Sequence, residues 1–432
     1  MKKNIVIVFL TYGFTLLSGV LTSLLTAWAL GPEGRGDLAV VVLWPNIVAW
    51  AFGLGLPQAY RYYLARYPES LSTLFSNALI FAFFIGLLAF GLAEVVVPRL
   101  VGQRNPEVMW LVRIYLLCIP PALLFELMLG LLEGARLFRW VAAARGTFYG
   151  TQAIAYLVLW LIGHLTVRNA TYTMIVGQVA CTILSFIGVK VALRPRWHPG
   201  WVEWKEAFDY GLRYFPGLIT GMATLRLDQL LLGAMAPSAA IGLYMVAVRL
   251  SEITTVLASS VSDVLLPEVA ARECKEESLQ LLTKSLRQTI YVYVLVLIPL
   301  WFSAPFILQF AYGTEFLAAT ETLRLLLIAS LLWSTGAIVN SGLNGLGFPL
   351  LSTVSRLSSA VVTVIALLYW LPTRGIVGAA LASVLGYSVM LIVALYGLMY
   401  KQKVSWRDCF YPRRDDFPIS KLVTNLRLRF SA

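Results

Sequence analysis

Apolar stretches of about 20 residues, each long enough to cross roughly 30 Å of hydrocarbon as a helix, recur from the start of this chain to Tyr400. They leave no room for a soluble domain between them. Of the 432 residues 59% are hydrophobic and mean hydropathy is +0.78, far above the range of water-soluble globules. The pattern predicts an all-α polytopic membrane protein with twelve spans, near 4–30, 38–56, 71–97, 108–131, 140–163, 171–193, 207–235, 238–266, 281–309, 319–344, 348–371 and 375–400. Lys2 and Lys3 with Ala27-Trp28-Ala29 imitate a secretory signal, but the apolar run is too long for one and reads as an uncleaved helix.

The formal charge is +12, and its placement sets the expected topology. Alternate connections divide the lysines and arginines unevenly. Twenty-two fall on the side of the N-terminus and of the tail after Tyr400, against five on the other: Arg35, Arg99, Arg104, Arg168 and Arg374. Basic residues stay inside, so both termini are expected in the cytoplasm of a cell whose plasma (inner) membrane holds the chain, with the basic excess against anionic lipid. No nucleic-acid module is recognisable. The four cysteines suggest no disulfide framework, and with two histidines and no ligand-spaced cluster a metal is not expected.

A shift of 211 positions lays Arg113 on Arg324, Gly134 on Gly345 and Arg145 on Arg356. "LGPEGRG" after the first span and "MAPSAAIG" after the seventh both put a proline in a short outer turn. Two parallel six-helix lobes, residues 1–196 and 207–400, are therefore expected about a pseudo-two-fold normal to the membrane. An interfacial linker at 197–206 would join them, and a basic cytoplasmic tail would follow at 401–432. Ligand sites in such architectures lie between bundles near the midplane.

Seven arginines remain in or at the rims of spans: Arg113, Arg145, Arg213, Arg226, Arg249, Arg324 and Arg356. Each costs about 2.5 to 3.5 kcal/mol at a helix centre, so each needs a partner, water or a rim position. Arg113, Arg145, Arg213, Arg324 and Arg356 are near enough to helix ends to snorkel. Arg226 and Asp228 lie about 10 to 14 Å deep, and Arg249 and Glu252 about 16 to 21 Å. Such charges either neutralise one another and lock helices together, with Arg249 and Glu252 three residues apart, or they line a hydrated wall continued by Ser259, Ser260 and Asp263. The seventh span shares a face of Gly217, Thr220, Gly221, Thr224 and Asp228. In the fifth, Arg145, Tyr149, Gln152 and Tyr156 form a strip combining phosphate pairing, sugar stacking and neutral hydrogen bonds. Arg356, Ser359 and Thr363 are a thinner version in the eleventh. Thr11, Thr15, Ser18, Thr22 and Thr26 in the first span read as small-residue helix packing.

The stretches "LGPEGRGDLAVV", "GLGLPQAYRYYLAR" and "RLDQLLLG" followed by "IGLYMVAVRLSE" resemble polysaccharide transport flippases of the multidrug, oligosaccharidyl-lipid and polysaccharide exporter superfamily, over residues 1 to 400. The resemblance implies two lobes in a V that rock between inward-open and outward-open states. It implies transfer of polyprenyl-diphosphate-linked oligosaccharide from the cytoplasmic to the outer leaflet. The substrate-contacting residues expected are Arg226, Asp228, Arg249, Glu252, Arg145, Tyr149, Gln152 and Arg356, with no catalytic residue, metal or organic cofactor. A coupling proton or sodium ion could use Asp228 or Glu252. The expected partners are the lipid-linked oligosaccharide, anionic membrane lipids and other polysaccharide assembly proteins. In the first lobe the candidates are mostly hydroxyls, so a cationic floor common to both lobes is not evident. Two rivals stay open: a proton- or sodium-coupled multidrug antiporter, for which Asp228, Glu252 and Glu126 would serve, and a membrane glycan polymerase or ligase, which the short outer loops disfavour.

Overall fold

The computed structural model describes residues 2–101, 105–270, 272, 274–411, 413 and 416. Within them the chain is helical, with no strand. In order the α-helices are α1 (Lys2–Phe52), α2 (Leu56–Arg66), α3 (Leu71–Val101), α4 (Pro106–Leu116), α5 (Ile119–Gly134), α6 (Phe138–Leu161), α7 (Val167–Leu193), α8 (Val202–Met235), α9 (Ser238–Ala270), α10 (Lys275–Ile307), α11 (Thr320–Gly345), α12 (Pro349–Gln402) and α13 (Trp406–Phe410). The surroundings of Gly217 and the side chains of Thr220, Thr224 and Asp263, expected on polar faces, and the tail beyond Asp416 lie outside the described part.

Glycine and proline decide where these helices break. α1 carries the first two expected spans through Gly31, whose φ of 62° suits a residue without Cβ, and Pro32 follows it. α12 repeats the device at Gly375, φ 55°. The fourth expected span, 108–131, is instead a pair: α4 and α5 meet at 41°. Pro120 and Pro121 explain the bend, since they lack amide hydrogens and so suit the first turn of a new helix better than the middle of an old one.

Among the described residues seven helices are each long and apolar enough to cross a membrane, eight with the bent pair as one span. The chain is a multi-pass membrane protein. Its outward side chains are the apolar ones, as the lipid-facing surface requires: Phe83, Phe84, Leu87, Leu88 and Leu92 of α3 are all exposed. α6 and α8 fall short of that apolar standard; they carry Arg145, and Arg226 with Asp228, in their interiors.

The contacts divide the chain into two compact units, and the division falls inside α9. The first comprises Met1–Arg249 with Ile307–Ala319. Helix α2 meets α8 where Gly55, φ 73°, abuts the carbonyl of Gly211, leaving no space for a Cβ. The Tyr62 and Tyr210 rings stack alongside, with centroids 4.8 Å apart. The two proline turns matched as a repeat lie against each other: a Cβ on Gly36 would strike the Ser238 carbonyl, and one on Gly242 the Pro32 carbonyl. Between α7 and α8 the chain lies along α3, the amides of Arg196 and His198 donating to Ser72 and Ser76, and Asn77 to the Gly200 carbonyl.

The second unit is Leu250–Phe306 with Thr320–Ala432. Its core joins Leu282, Leu286, Ile338, Val339, Leu343 and Leu398, closed by Cys409 of α13. Buried polar groups pair across helices: Thr254 with Tyr293 and with Ser330, and Ser355 with Asn340 at 2.8 Å. Arg287 of α10 holds Asp416 through both carboxylate oxygens at 2.7 Å, pinning the start of the tail.

Candidate functional site

Of the cavities within the first unit, two share one strip of α6 in their walls. The larger, about 700 Å³, is bordered by Thr11, Thr15, Asn46, Trp50, Arg61, Glu126, Glu133, Arg145, Tyr149 and Gln178. The smaller, about 280 Å³, is bordered by Gly19, Thr22, Ser23, Thr26, Arg35, Tyr149, Gln152, Tyr156 and Arg249. The four-, three- and four-residue steps of Arg145, Tyr149, Gln152 and Tyr156 keep these side chains on one helix face, which is why they share these walls.

In the larger cavity Glu133, from the last turn of α5, bridges two arginines. Its Oε1 accepts from Arg145 at 3.1 Å, and its Oε2 pairs with Arg61 of α2. In the smaller cavity the buried Gln152 has no protein partner for its Nε2. A buried donor left unsatisfied costs about 1 to 3 kcal/mol, and an anionic ligand facing it would supply the missing acceptor. Arg35 reaches back across the α1 break to the Ser23 carbonyl at 2.7 Å, the Thr26 hydroxyl at 2.6 Å and the Ser23 hydroxyl at 2.9 Å. Arg249 lies over Gly19 so closely that a methyl there would overlap its guanidinium. The threonine row of α1 borders both cavities, and the hydroxyls of Thr22 and Thr26 bond to their own helix backbone, as helix-packing hydroxyls do.

Arg226, Asp228, Glu252 and Arg356 border neither of these two cavities. Asp228 is buried, accepting from the Tyr244 hydroxyl and from the Gln229 amide at 2.7 Å, and so ties α8 to α9. Arg226 donates to Gln229 at 3.0 Å. Glu252 and Arg356 are half-buried and belong to the second unit, whereas Arg249 belongs to the first. Of the rim arginines, Arg113 pairs with Glu94 at 3.2 Å and Arg324 donates to the Trp301 carbonyl.

Reading the sequence alone missed Arg35, Arg61 and Glu133. Arg35 and Arg61 were counted as loop charges. The available signal was Glu133 itself, a carboxylate at the end of an apolar span with Arg145 twelve residues on and basic loops nearby.

Among the described residues the chain is an all-helical membrane protein of two compact units, with charged and hydroxyl side chains lining cavities inside the first. The profile of the polysaccharide biosynthesis protein family matches residues 26–321, and the chain belongs to that family. It is 24% identical over 222 residues to the "Probable low-salt glycan biosynthesis flippase Agl15" of Haloferax volcanii, an alignment covering 50% of this chain and 46% of the relative. The chain thus spans about half the length of the curated relative it matches. Among solved structures it resembles the lipid II flippase MurJ in an inward closed conformation, with TM-score 0.76, 16% identity and coverage of 93% of this chain and 88% of that one. It also resembles an inward-facing multidrug resistance MATE transporter of the MOP superfamily, with TM-score 0.72, 16% identity and coverage of 89% and 94%. A MOP superfamily transporter from Pyrococcus furiosus gives TM-score 0.58 at 16% identity, covering 92% and 95%. At these identities the structural likeness establishes the fold.

Proposed function

We propose that the protein carries polyprenyl-diphosphate-linked oligosaccharide from the cytoplasmic to the outer leaflet by alternating access, for cell-surface polysaccharide assembly. The observation that carries this reading is the α6 strip, which brings to the cavity walls Arg145, a group suited to phosphate, Tyr149, a ring suited to a sugar, and the unsatisfied Gln152 amide. A diphosphate cannot cross hydrocarbon alone. Guanidinium groups in a hydrated cavity lower that barrier while the prenyl chain remains in lipid. Arg61 and Arg35 add the cationic groups that hydroxyls alone would not give the first unit. Membership of a polysaccharide biosynthesis family supports the same substrate class, as does the name of the archaeal relative.

The same reading includes twelve crossings in two six-helix lobes, both termini in the cytoplasm of the inner membrane, contact with anionic lipid and with other assembly proteins, and no catalytic step. The larger cavity would supply the headgroup contacts and Arg249 a further one in the smaller cavity, with Arg226, Glu252 and Arg356 assigned as additional substrate contacts and Asp228 as the tie between α8 and α9. Coupling to a proton or sodium ion would fall to a carboxylate such as Glu252. The test is reconstitution into liposomes containing a fluorescent polyprenyl-diphosphate oligosaccharide, following the loss of inner-leaflet label. Transfer of that lipid without uptake of cationic dyes supports the flippase. Dye transport driven by a proton or sodium gradient, with the lipid left in place, supports the antiporter that the MATE-like fold and Glu126 would suit.

A further inference from the structure

Resting on the reading that the larger cavity takes a lipid-linked diphosphate, we propose that Glu133 is a built-in stand-in for that headgroup. Arg61 and Arg145 hold its carboxylate until a diphosphate displaces it, and this exchange makes the site prefer two linked phosphates to one. The geometry is specific. One carboxylate serves two guanidinium groups brought from α2 and α6, giving one oxygen to each. Glu133 is nearly enclosed, its side chain 12% exposed, whereas those of Arg61 and Arg145 are 52% and 32% exposed. Both arginines line the cavity with their side chains partly open, while the charge that neutralises them is held in the wall.

Two guanidinium groups sharing a site repel each other, and Glu133 is what lets them approach in the empty protein. A ligand gains net affinity only if it replaces both of the contacts it breaks. A single phosphate presents one tetrahedral centre, and with one fork engaged bidentately its remaining oxygen reaches the second fork poorly. A diphosphate presents two centres, one for each fork, with charge spread across both. Glu126 sets the threshold higher. It stands seven residues before Glu133 on α5, about two turns away, and borders the same cavity. A displaced Glu133 thus leaves two carboxylates facing the ligand, a cost that a doubly engaged headgroup overcomes and a singly engaged one does not.

The experiment uses the full-length protein in liposomes with two fluorescent probes, a polyprenyl monophosphate and a polyprenyl diphosphate of equal chain length, compared as a ratio of transfer rates. Glu133→Gln keeps the shape and removes the competing charge, and is expected to raise monophosphate transfer and narrow the ratio about ten-fold. If that variant is lost from the membrane, Glu133→Asp, which draws the charge back by one methylene, is expected to shift the ratio the same way by less. A merely structural Glu133 would lower both rates together and leave their ratio unmoved, and that result overturns the inference while the flippase reading stands. A folded wild-type protein that moves neither probe overturns the parent reading and this one with it.

Discussion

The Tyr244 hydroxyl on α9 donates to the buried carboxylate of Asp228 on α8, closing the two helices over a charge that the sequence places inside an apolar run. The carboxylate also takes the Gln229 amide, so its oxygens are engaged by protein on both sides. A carboxylate held in this way serves adhesion first. Tyr244→Phe should lower detergent-solubilised thermal stability by the equivalent of about 1.5 to 3 kcal/mol, the cost of removing a hydrogen bond to a charged group. Transport per folded molecule should remain near that of the wild type. A large loss of transport at unchanged stability would instead put Asp228 on the substrate path.

The Arg35 clasp should be intolerant of lysine. Three contacts to Ser23 and Thr26 need the spread of a guanidinium, which an ammonium cannot reproduce. Arg35→Lys and Arg35→Ala should therefore show similar falls in melting temperature, measured by fluorescence of the detergent-solubilised protein. Full rescue by lysine would show that only the charge matters there.

The turns that meet at Gly36 and Gly242 should resist even a methyl group. At Gly36 and Gly242 the added Cβ would meet backbone carbonyls, which cannot rotate away as a side chain does. Gly36→Ala and Gly242→Ala should each cost about 1 to 3 kcal/mol through overpacking, read as reduced membrane-inserted yield. Gly91→Ala, where a Cβ meets nothing within 4 Å, is the matched control and should express normally.

The tail anchor predicts a pH dependence of definite sign. The Arg287 guanidinium holds the Asp416 carboxyl below its usual range, chiefly through their hydrogen bonds. A depressed carboxyl contributes stability that is present above its unfolded pKa, about 3.9, and is lost as pH falls through the lower folded value. Protease cleavage near residue 411 should stay flat around neutrality and rise only below about pH 4. Asp416→Asn should expose the same site at neutral pH, because the buried Arg287 then loses its counter-charge.

Much of the fold was legible in the sequence because hydropathy and chain breaks act locally. The Gly31-Pro32 break between the first two expected spans and the start of α9 at Ser238 are written in single residues whose backbone preferences need no distant partner. The α4–α5 bend was equally local, and Pro120 and Pro121 were there to be weighed. The α6 strip was legible too, since helical spacing alone puts Arg145, Tyr149 and Gln152 on one face. What spacing cannot supply is the partner from elsewhere in the chain. Glu133 meets Arg61 only because α2 packs beside α5, and Asp228 meets Tyr244 only because α9 folds back on α8. Arg35 looked like a loop charge because its hydrogen bonds run backwards across the break.

The most direct test of the account is the initial rate at which Arg145→Ala, at wild-type density in liposomes, removes a polyprenyl-diphosphate oligosaccharide from the inner leaflet. If guanidinium groups facing the larger cavity carry the headgroup, that rate should fall at least about ten-fold while the protein stays folded and inserted. An unchanged rate would contradict the assignment of this cavity as the path.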